Sequence, residues 1–330
     1  MKILVTGSGG FIGCNLCLKL LEDGHEVVAS YRSAAPPFLR ALGPEQARRV
    51  TLSQGDLTDR EYVLSLADEG VAGILNSAIM TSPAAREEEY FAAMARTNIA
   101  GTVNMLELAL RANVPNYVYV SSFSVYGRAF GLGERIPEEG PFQLGGTYAV
   151  TKRACELLTE RYGALAGAKA VSARIATPYG PYERATNSRT ALGAVCGMVE
   201  SAAAGRSVTI TGPEIERDWT YVEDTVEALC LLLTAKPGTL RHTEYNVSCA
   251  RGYSNAEVAA TLRSICPSFE YSFVDNPAEA DISVSPPCQR GIADITRLTE
   301  DTGFLPRFDL AAGLEKYLDH VRNTPAVDSF

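Results

Sequence analysis

Residues 2–13 read KILVTGSGGFIG, and the change of character inside this stretch decides the fold. Lys2 to Thr6 is an apolar run of strand length. Gly7, Gly10 and Gly13 follow at intervals of three, and beyond them Leu16, Leu20 and Leu21 recur on one face of a helix that Gly24 stops. Glycines placed directly after a strand and at the opening of a helix let the backbone approach a pyrophosphate, at the helix end where the dipole is positive. The stretch therefore predicts a dinucleotide-binding turn.

Working outward, His25 to Ser30 reads as a second strand, Val50 to Ser53 as a third, Gly73 to Ser77 as a fourth, Tyr117 to Ser121 as a fifth and Ala170 to Ile175 as a sixth. Phe91, Met94, Ala95, Ile99, Val103, Leu106 and Leu110 recur at helical spacing, and a second long helix is expected from Tyr148 to about Leu165. Strands alternating with helices imply right-handed crossover units and an α/β fold with a parallel, doubly wound sheet covered on both faces. Beyond Pro178, a scatter of Pro and Gly breaks the chain into shorter elements, which suits a smaller C-terminal unit with a ligand cleft against the sheet. The expected division is 1–176 for the dinucleotide-binding unit, with 207–247 returning to it, and 177–206 plus 248–330 for the substrate-binding unit.

Composition narrows the class. The 330 residues are 46% apolar and 21% charged, which excludes collagen-like, disordered and coiled-coil chains. A net charge of −9 with no basic arm disfavours nucleic acid and anionic membrane as partners. The longest apolar run, Ala228 to Leu233, is far short of the roughly 20 residues of a membrane span. Eight dispersed cysteines and three histidines read as free thiols of a cytoplasmic protein, with no metal site.

A second constellation carries chemistry. Tyr148 and Lys152 lie four residues apart, on one helical face, where an ammonium lowers the pKa of a phenol and makes it a usable acid or base. Twenty-six residues before Tyr148 stands Ser122, just past the fifth strand, with a hydroxyl able to donate to a reacting oxygen. At the end of the second strand, where an acid would accept hydrogen bonds from the adenosine ribose, the chain has Tyr31 followed by Arg32. A guanidinium there could pair with a 2′-phosphate and favour NADP over NAD. Asp56, after the third strand, is a candidate adenine contact.

In the order TGSGGFIG, GDLTD, Asn98 with GTVN, VYVSSFSVYG, YAVTK, RIATPYGP, RDWTYVED, YNV and ADITRLTEDTGFLPR, the sequence resembles the extended short-chain dehydrogenase/reductase superfamily, or NAD-dependent epimerase/dehydratase family. The resemblance implies a Rossmann-type domain, a nicotinamide cofactor (NADP preferred, or NAD), hydride transfer at a sugar-like carbinol, and Ser122, Tyr148 and Lys152 as the catalytic triad. It implies that Lys152 also holds the nicotinamide ribose. Asn76, Ser77 and Ala78 would line the cofactor, with Phe11, Ile12, Leu57, Asn98 and Ile175 from the matching motifs. It also implies a homodimer through the helices around Phe91 to Leu110 and Tyr148 to Leu165.

Departures from the family pattern bear on the substrate. Sugar-nucleotide dehydratases of the family carry an Asp-Glu pair directly after the catalytic hydroxyl residue, whereas this chain has Phe123 and Ser124. Dehydration is thereby disfavoured. Of three positions that often bind a nucleotide diphosphate, Thr177 stands in place of Asn, Arg217 is retained, and no arginine lies around Ala278 to Asp281. Arg184 and Arg189 could substitute as phosphate ligands, and Ser122, Ser124 and Tyr148 would face the sugar. The leading expectation is an NADP-preferring reductase of a keto group on a sugar or nucleotide-sugar, with a cofactor-retaining nucleotide-sugar epimerase as the alternative. A catalytically inert nucleotide sensor is the remaining reading.

Overall fold

The computed structural model describes residues 1–66, 70–81, 86–127, 134–186, 192–284 and 291–324. The N-terminal apolar run forms strand β1 (Lys2–Thr6), and helix α1 (Phe11–Glu22) follows it across the glycine-rich turn. Gly24, at φ 84°, turns the chain out of α1 in a conformation that side chains with a Cβ rarely adopt. Strands β2 (Glu26–Tyr31), β3 (Val50–Gln54), β4 (Val71–Asn76), β5 (Asn116–Ser122), β6 (Lys169–Ile175) and β7 (Glu244–Val247) complete a parallel seven-stranded sheet in the order β7-β6-β5-β4-β1-β2-β3. The six strands expected from the sequence lie within two residues of these at either end.

Helices α2 (Glu87–Ala95), α3 (Gly101–Arg111), α4 (Thr147–Ala166), α5 (Ala194–Ala203), α6 (Val222–Thr234), α7 (Asn255–Ile265) and α8 (Leu310–Asn323) follow in chain order. Alternation along the strands sends side chains to opposite faces of the sheet. Ile3, Val5, Leu75, Val118 and Val120 pack beneath α1 and α6, whereas Leu4, Ile74, Tyr117 and Tyr119 pack beneath α3 and α4. Both faces are buried, which is why these strands read as continuous apolar runs. The helical spacing from Phe91 to Leu110 spans α2 and α3, which join through a π-helical turn at Arg96–Ala100.

A second core gathers α5, α7 and α8 around the parallel pair Val208–Ile210 and Tyr271–Phe273. Within 207–247, α6 and β7 pack on the large sheet, while Val208, Ile210, Ile215, Trp219 and Tyr221 lie in the second core. Leu298 and Phe304, late in the chain, return to the first. The sheet order reverses at β1, from which the chain runs outward through β2 and β3 before β4 is laid on the other side. The crevice beyond the carboxyl ends of β1 and β4 is where an open parallel sheet binds its ligand.

Candidate active site

The floor of that crevice is laced together by Thr6, the last residue of β1. Its hydroxyl donates to Asn76 Oδ1 (2.7 Å) and accepts from the backbone N–H groups of Ser77 and Ala78 (both 3.1 Å). Ser77 Oγ donates in turn to the Thr6 carbonyl (2.6 Å). The turn after β1 is thus fastened to the turn after β4. Gly7 sits between them at φ 67°, and a Cβ on it would come within 2.8 Å of Ala78 Cα. A Cβ on Gly13 would strike the Gly7 carbonyl oxygen, so α1 packs directly onto the turn. Gly10 caps α1 without any side-chain hydrogen bond, which leaves the positive helix end for a ligand anion to satisfy. Phe11 is buried at the start of α1, and Ile12 packs half-buried against the same core.

Arg184 reaches this turn from the loop beyond β6. Its Nη2 donates to the Gly9 carbonyl (2.6 Å), and its Nη1 is buried without a hydrogen-bond partner. Asn15 Nδ2 bonds the carbonyls of both Phe11 and Pro181 (2.9 Å each), which holds that loop against α1. The sequence offers Arg184 as a substrate phosphate ligand; the structure sets it beside the glycine turn. Arg189 lies outside the described residues. At the adenosine end, Tyr31 closes β2, and the Arg32 guanidinium stands 4.0 Å from the Asp56 carboxylate. Asp56 also accepts from the Thr58 N–H and hydroxyl (2.8 and 2.9 Å).

The triad residues come from two elements brought together at the end of β5. Ser122 is its last residue, level with Ile175 of β6, and its Oγ accepts from the Ser124 N–H (3.1 Å). Ser124 Oγ is buried without a partner. From the first turns of α4, the buried Lys152 Nζ donates to the Val120 carbonyl (2.5 Å), two residues before Ser122. It lies 4.8 Å from the Tyr119 ring centroid and 5.8 Å from that of Tyr148. Burial pulls the Lys152 pKa down to about 8, against the opposing pull of Cys155 and Glu156.

Other motif residues serve the framework. Asn76 is buried, and its amide donates to Tyr117 Oη (2.9 Å) as well as accepting from Thr6. Asn98 grips Met80 through both backbone groups (2.8 and 3.0 Å) and donates to Thr151 Oγ1 (3.1 Å). The Leu57 carbonyl accepts from Asn104. Thr177 opens a strand, Thr177–Tyr179, that pairs with Trp219–Tyr221. Arg217 lies 5.4 Å over the Trp219 ring, and its Nε is buried without a partner. Thr6, Tyr119 and Glu87 were not singled out from the sequence. Only Thr6 had a signal there, as the residue leading into the glycine turn.

Among the described residues, no group of His, Cys, Asp and Glu side chains could hold a metal ion, and no helix is long and apolar enough to cross a membrane. The pattern of the NAD dependent epimerase/dehydratase family matches residues 3–248. UDP-glucuronate 4-epimerase 6 of Arabidopsis thaliana is 26% identical over 96% of this chain and 71% of its own length. The UDP-glucose 4-epimerase of Thermus thermophilus, solved in complex with NAD, is 25% identical, with a TM-score of 0.78 over 98% of this chain and 100% of that one. The UDP-glucose 4-epimerase of Thermotoga maritima, solved with UDP-glucose, shares the fold with a TM-score of 0.83 at 24% identity, over 98% of this chain and 99% of that one.

Proposed function

The chain belongs to the NAD-dependent epimerase/dehydratase family, a family of enzymes, and we propose on that footing that it is an NAD-dependent epimerase of a nucleotide-diphosphate sugar. The observation that carries this reading is Lys152, a buried ammonium anchored on the strand that ends in Ser122 and 5.8 Å from the Tyr148 ring. In this reading Tyr148 takes the proton from a sugar hydroxyl and returns it after the sugar has presented its other face. Ser122 donates to the same oxygen, and Ser124 Oγ gains a partner it lacks within the protein. When bound, the nicotinamide supplies reversible acceptance and return of a hydride.

The residues fit that cofactor. Gly7, Gly10 and Gly13 clear the backbone for a pyrophosphate, and the orphaned Arg184 Nη1 beside Gly9 supports a role as its charged partner. NAD is favoured over the NADP expected from Tyr31 and Arg32, because the Asp56 carboxylate both offsets Arg32 and repels a 2′-phosphate. The relatives point the same way, toward epimerisation rather than net reduction. Phe123, buried directly after Ser122, leaves no carboxylate there for water elimination. Arg217, with its unpartnered buried Nε, is the proposed contact for the nucleotide diphosphate, flanked by Thr177.

We assign the cofactor to 1–176 with α6 and β7, joined by Arg184 from the next loop, and the sugar nucleotide to 177–206 and 248–330 together with the Arg217 segment that packs in the second core. The seven described cysteines are free thiols, in keeping with a reducing cytoplasm. Exposed Phe91, Val103 and Leu110 of α2 and α3, with Val150, Leu157 and Leu165 of α4, support a homodimer through these helices. Purification without added nucleotide, heat release of the bound cofactor and incubation with UDP-glucuronic acid and UDP-glucose test the proposal. It predicts co-purified NAD and a C4 epimer detected by NMR. Net reduction of added NADP with a keto-sugar product and no epimer would return the oxidoreductase reading.

A further inference from the structure

The catalytic helix begins without a cap of its own. Gly146 precedes α4 and offers no side chain to its N–H groups, where Ser, Thr, Asp or Asn is the preferred residue. Backbone conformation does not explain the glycine, since φ 173° and ψ 167° are extended and open to any residue. What crowds the position is a neighbouring carboxylate. A Cβ on Gly146 would stand 3.2 and 3.4 Å from the two carboxylate oxygens of Glu87. That carboxylate comes from the first turn of α2, 60 residues earlier, and its Oε1 accepts from both the backbone N–H and the hydroxyl of Thr147, the first residue of α4.

We propose that Glu87 is the N-terminal cap of the catalytic helix, supplied from a different helix, and that it positions Tyr148. The inference rests on Tyr148 as the proton carrier. Glu87 sits where the positive ends of α2 and α4 converge, so one carboxylate complements two helix dipoles. The Thr147 hydrogen bonds hold its pKa below the usual carboxylate range. The first turns of α4 are then pinned before Tyr148 by Thr147 on Glu87, and after Tyr148 by Asn98 on Thr151 and by Lys152 on the Val120 carbonyl. Without the first pin, the turn that bears the phenol frays while the Lys152 anchor holds. A displacement of about 1 Å of a reacting group can cost on the order of 10²-fold in rate.

Three variants separate positioning from mere folding: Glu87→Ala removes the cap, Glu87→Gln keeps an acceptor of the same shape, and Glu87→Ala with Gly146→Ser restores a cap from within the helix. Tyrosine labelled with ¹³C at Cζ, with the Tyr148 resonance assigned through Tyr148→Phe, reports the phenol in the cofactor-loaded protein without any substrate. Glu87→Ala should shift and broaden that resonance and lower kcat with UDP-glucuronic acid about 10- to 100-fold at unchanged KM. Glu87→Gln and the double variant should return both toward wild type. A Tyr148 resonance in Glu87→Ala that superimposes on wild type would overturn the inference, as would a kcat within twofold of wild type. A Tyr148→Phe variant that keeps its kcat would sink the parent reading instead, and the resonance alone would then judge the cap.

Discussion

Two buried cations face the same side of the sheet and receive opposite treatment. Arg174 of β6 is fully buried and fully answered: Nε and Nη2 bond the two carboxylate oxygens of Glu156 (2.9 and 3.0 Å), and Nη1 bonds Tyr126 Oη (2.9 Å) and the Glu138 carbonyl (2.6 Å). Glu156 is itself held by Ser121, the register partner of Arg174 on β5, and by Arg153. Burial pulls the guanidinium pKa down, but the hydrogen bonds and charge of Glu156 outweigh it, and the cation is locked. One turn before Glu156 on α4, Lys152 has a backbone carbonyl and two aromatic rings but, among the described residues, no carboxylate in contact. The first cation holds strands to helix; the second is left short of partners, which in the proposed reading keeps its charge for a phenol and a cofactor.

The strongest way to break this comparison is to treat Arg174 as Lys152 is treated. Glu156→Ala removes the bidentate partner of the buried guanidinium and leaves only Glu244, 3.8 Å from Nη2, as a carboxylate beside it; the loss is expected to reach about 3 kcal/mol of stability, read by urea unfolding. A loss below about 1 kcal/mol would show that Arg174 is not the structural cation described here. On the functional side, Tyr148→Phe keeps the ring beside Lys152 and removes only the transferable proton. It should lower kcat by ~10²–10⁴-fold with cofactor affinity nearly intact, measured by steady-state kinetics and calorimetry.

Lys152→Met sharpens the contrast through pH. With a folded pKa near 8 against an ordinary value of 10.5, Lys152 destabilises the folded cofactor-free protein below pH 8, and the penalty fades as pH rises from 8 toward 10.5. The variant should therefore be inactive yet more stable than wild type at pH 7, by at most about 3 kcal/mol, with the gap closing above pH 8. Equal stability at pH 7 would mean that the Val120 carbonyl alone compensates the ammonium. The smallest effect belongs to Arg32, exposed and beside Asp56. Arg32→Ala should change the ratio of NAD to NADP affinity by less than about tenfold, checked by calorimetry with both cofactors.

What the sequence discloses follows from how local each signal is. KILVTGSGGFIG and the Tyr148-to-Lys152 spacing are written within a dozen residues, and the strand, turn and helix formed as read. Asn76 and Asn98 sit in motifs that suggest cofactor contact, but their amides turn inward to Thr6, Tyr117, Met80 and Thr151, a choice that only packing of separate elements makes. Arg184 looks like any arginine for a substrate phosphate until the fold lays its loop against Gly9. Glu87 is harder still. Glu87, Glu88 and Glu89 read alike as an acidic helix start, and which of them meets Thr147 depends on how α2 lies across α4. The same holds for Arg174, whose partners come from separate places in the chain.

The most direct test of the account follows deuterium. UDP-glucuronic acid carrying deuterium at C4 is incubated with the purified protein and its own bound cofactor, with unlabelled NADH added in excess. If Tyr148 and Lys152 serve a closed cycle of oxidation and return, the epimer forms with deuterium still at C4, and none reaches the added nucleotide. Deuterium recovered in the free nucleotide pool would contradict the account, and an oxidised sugar product with it would identify a dehydrogenase.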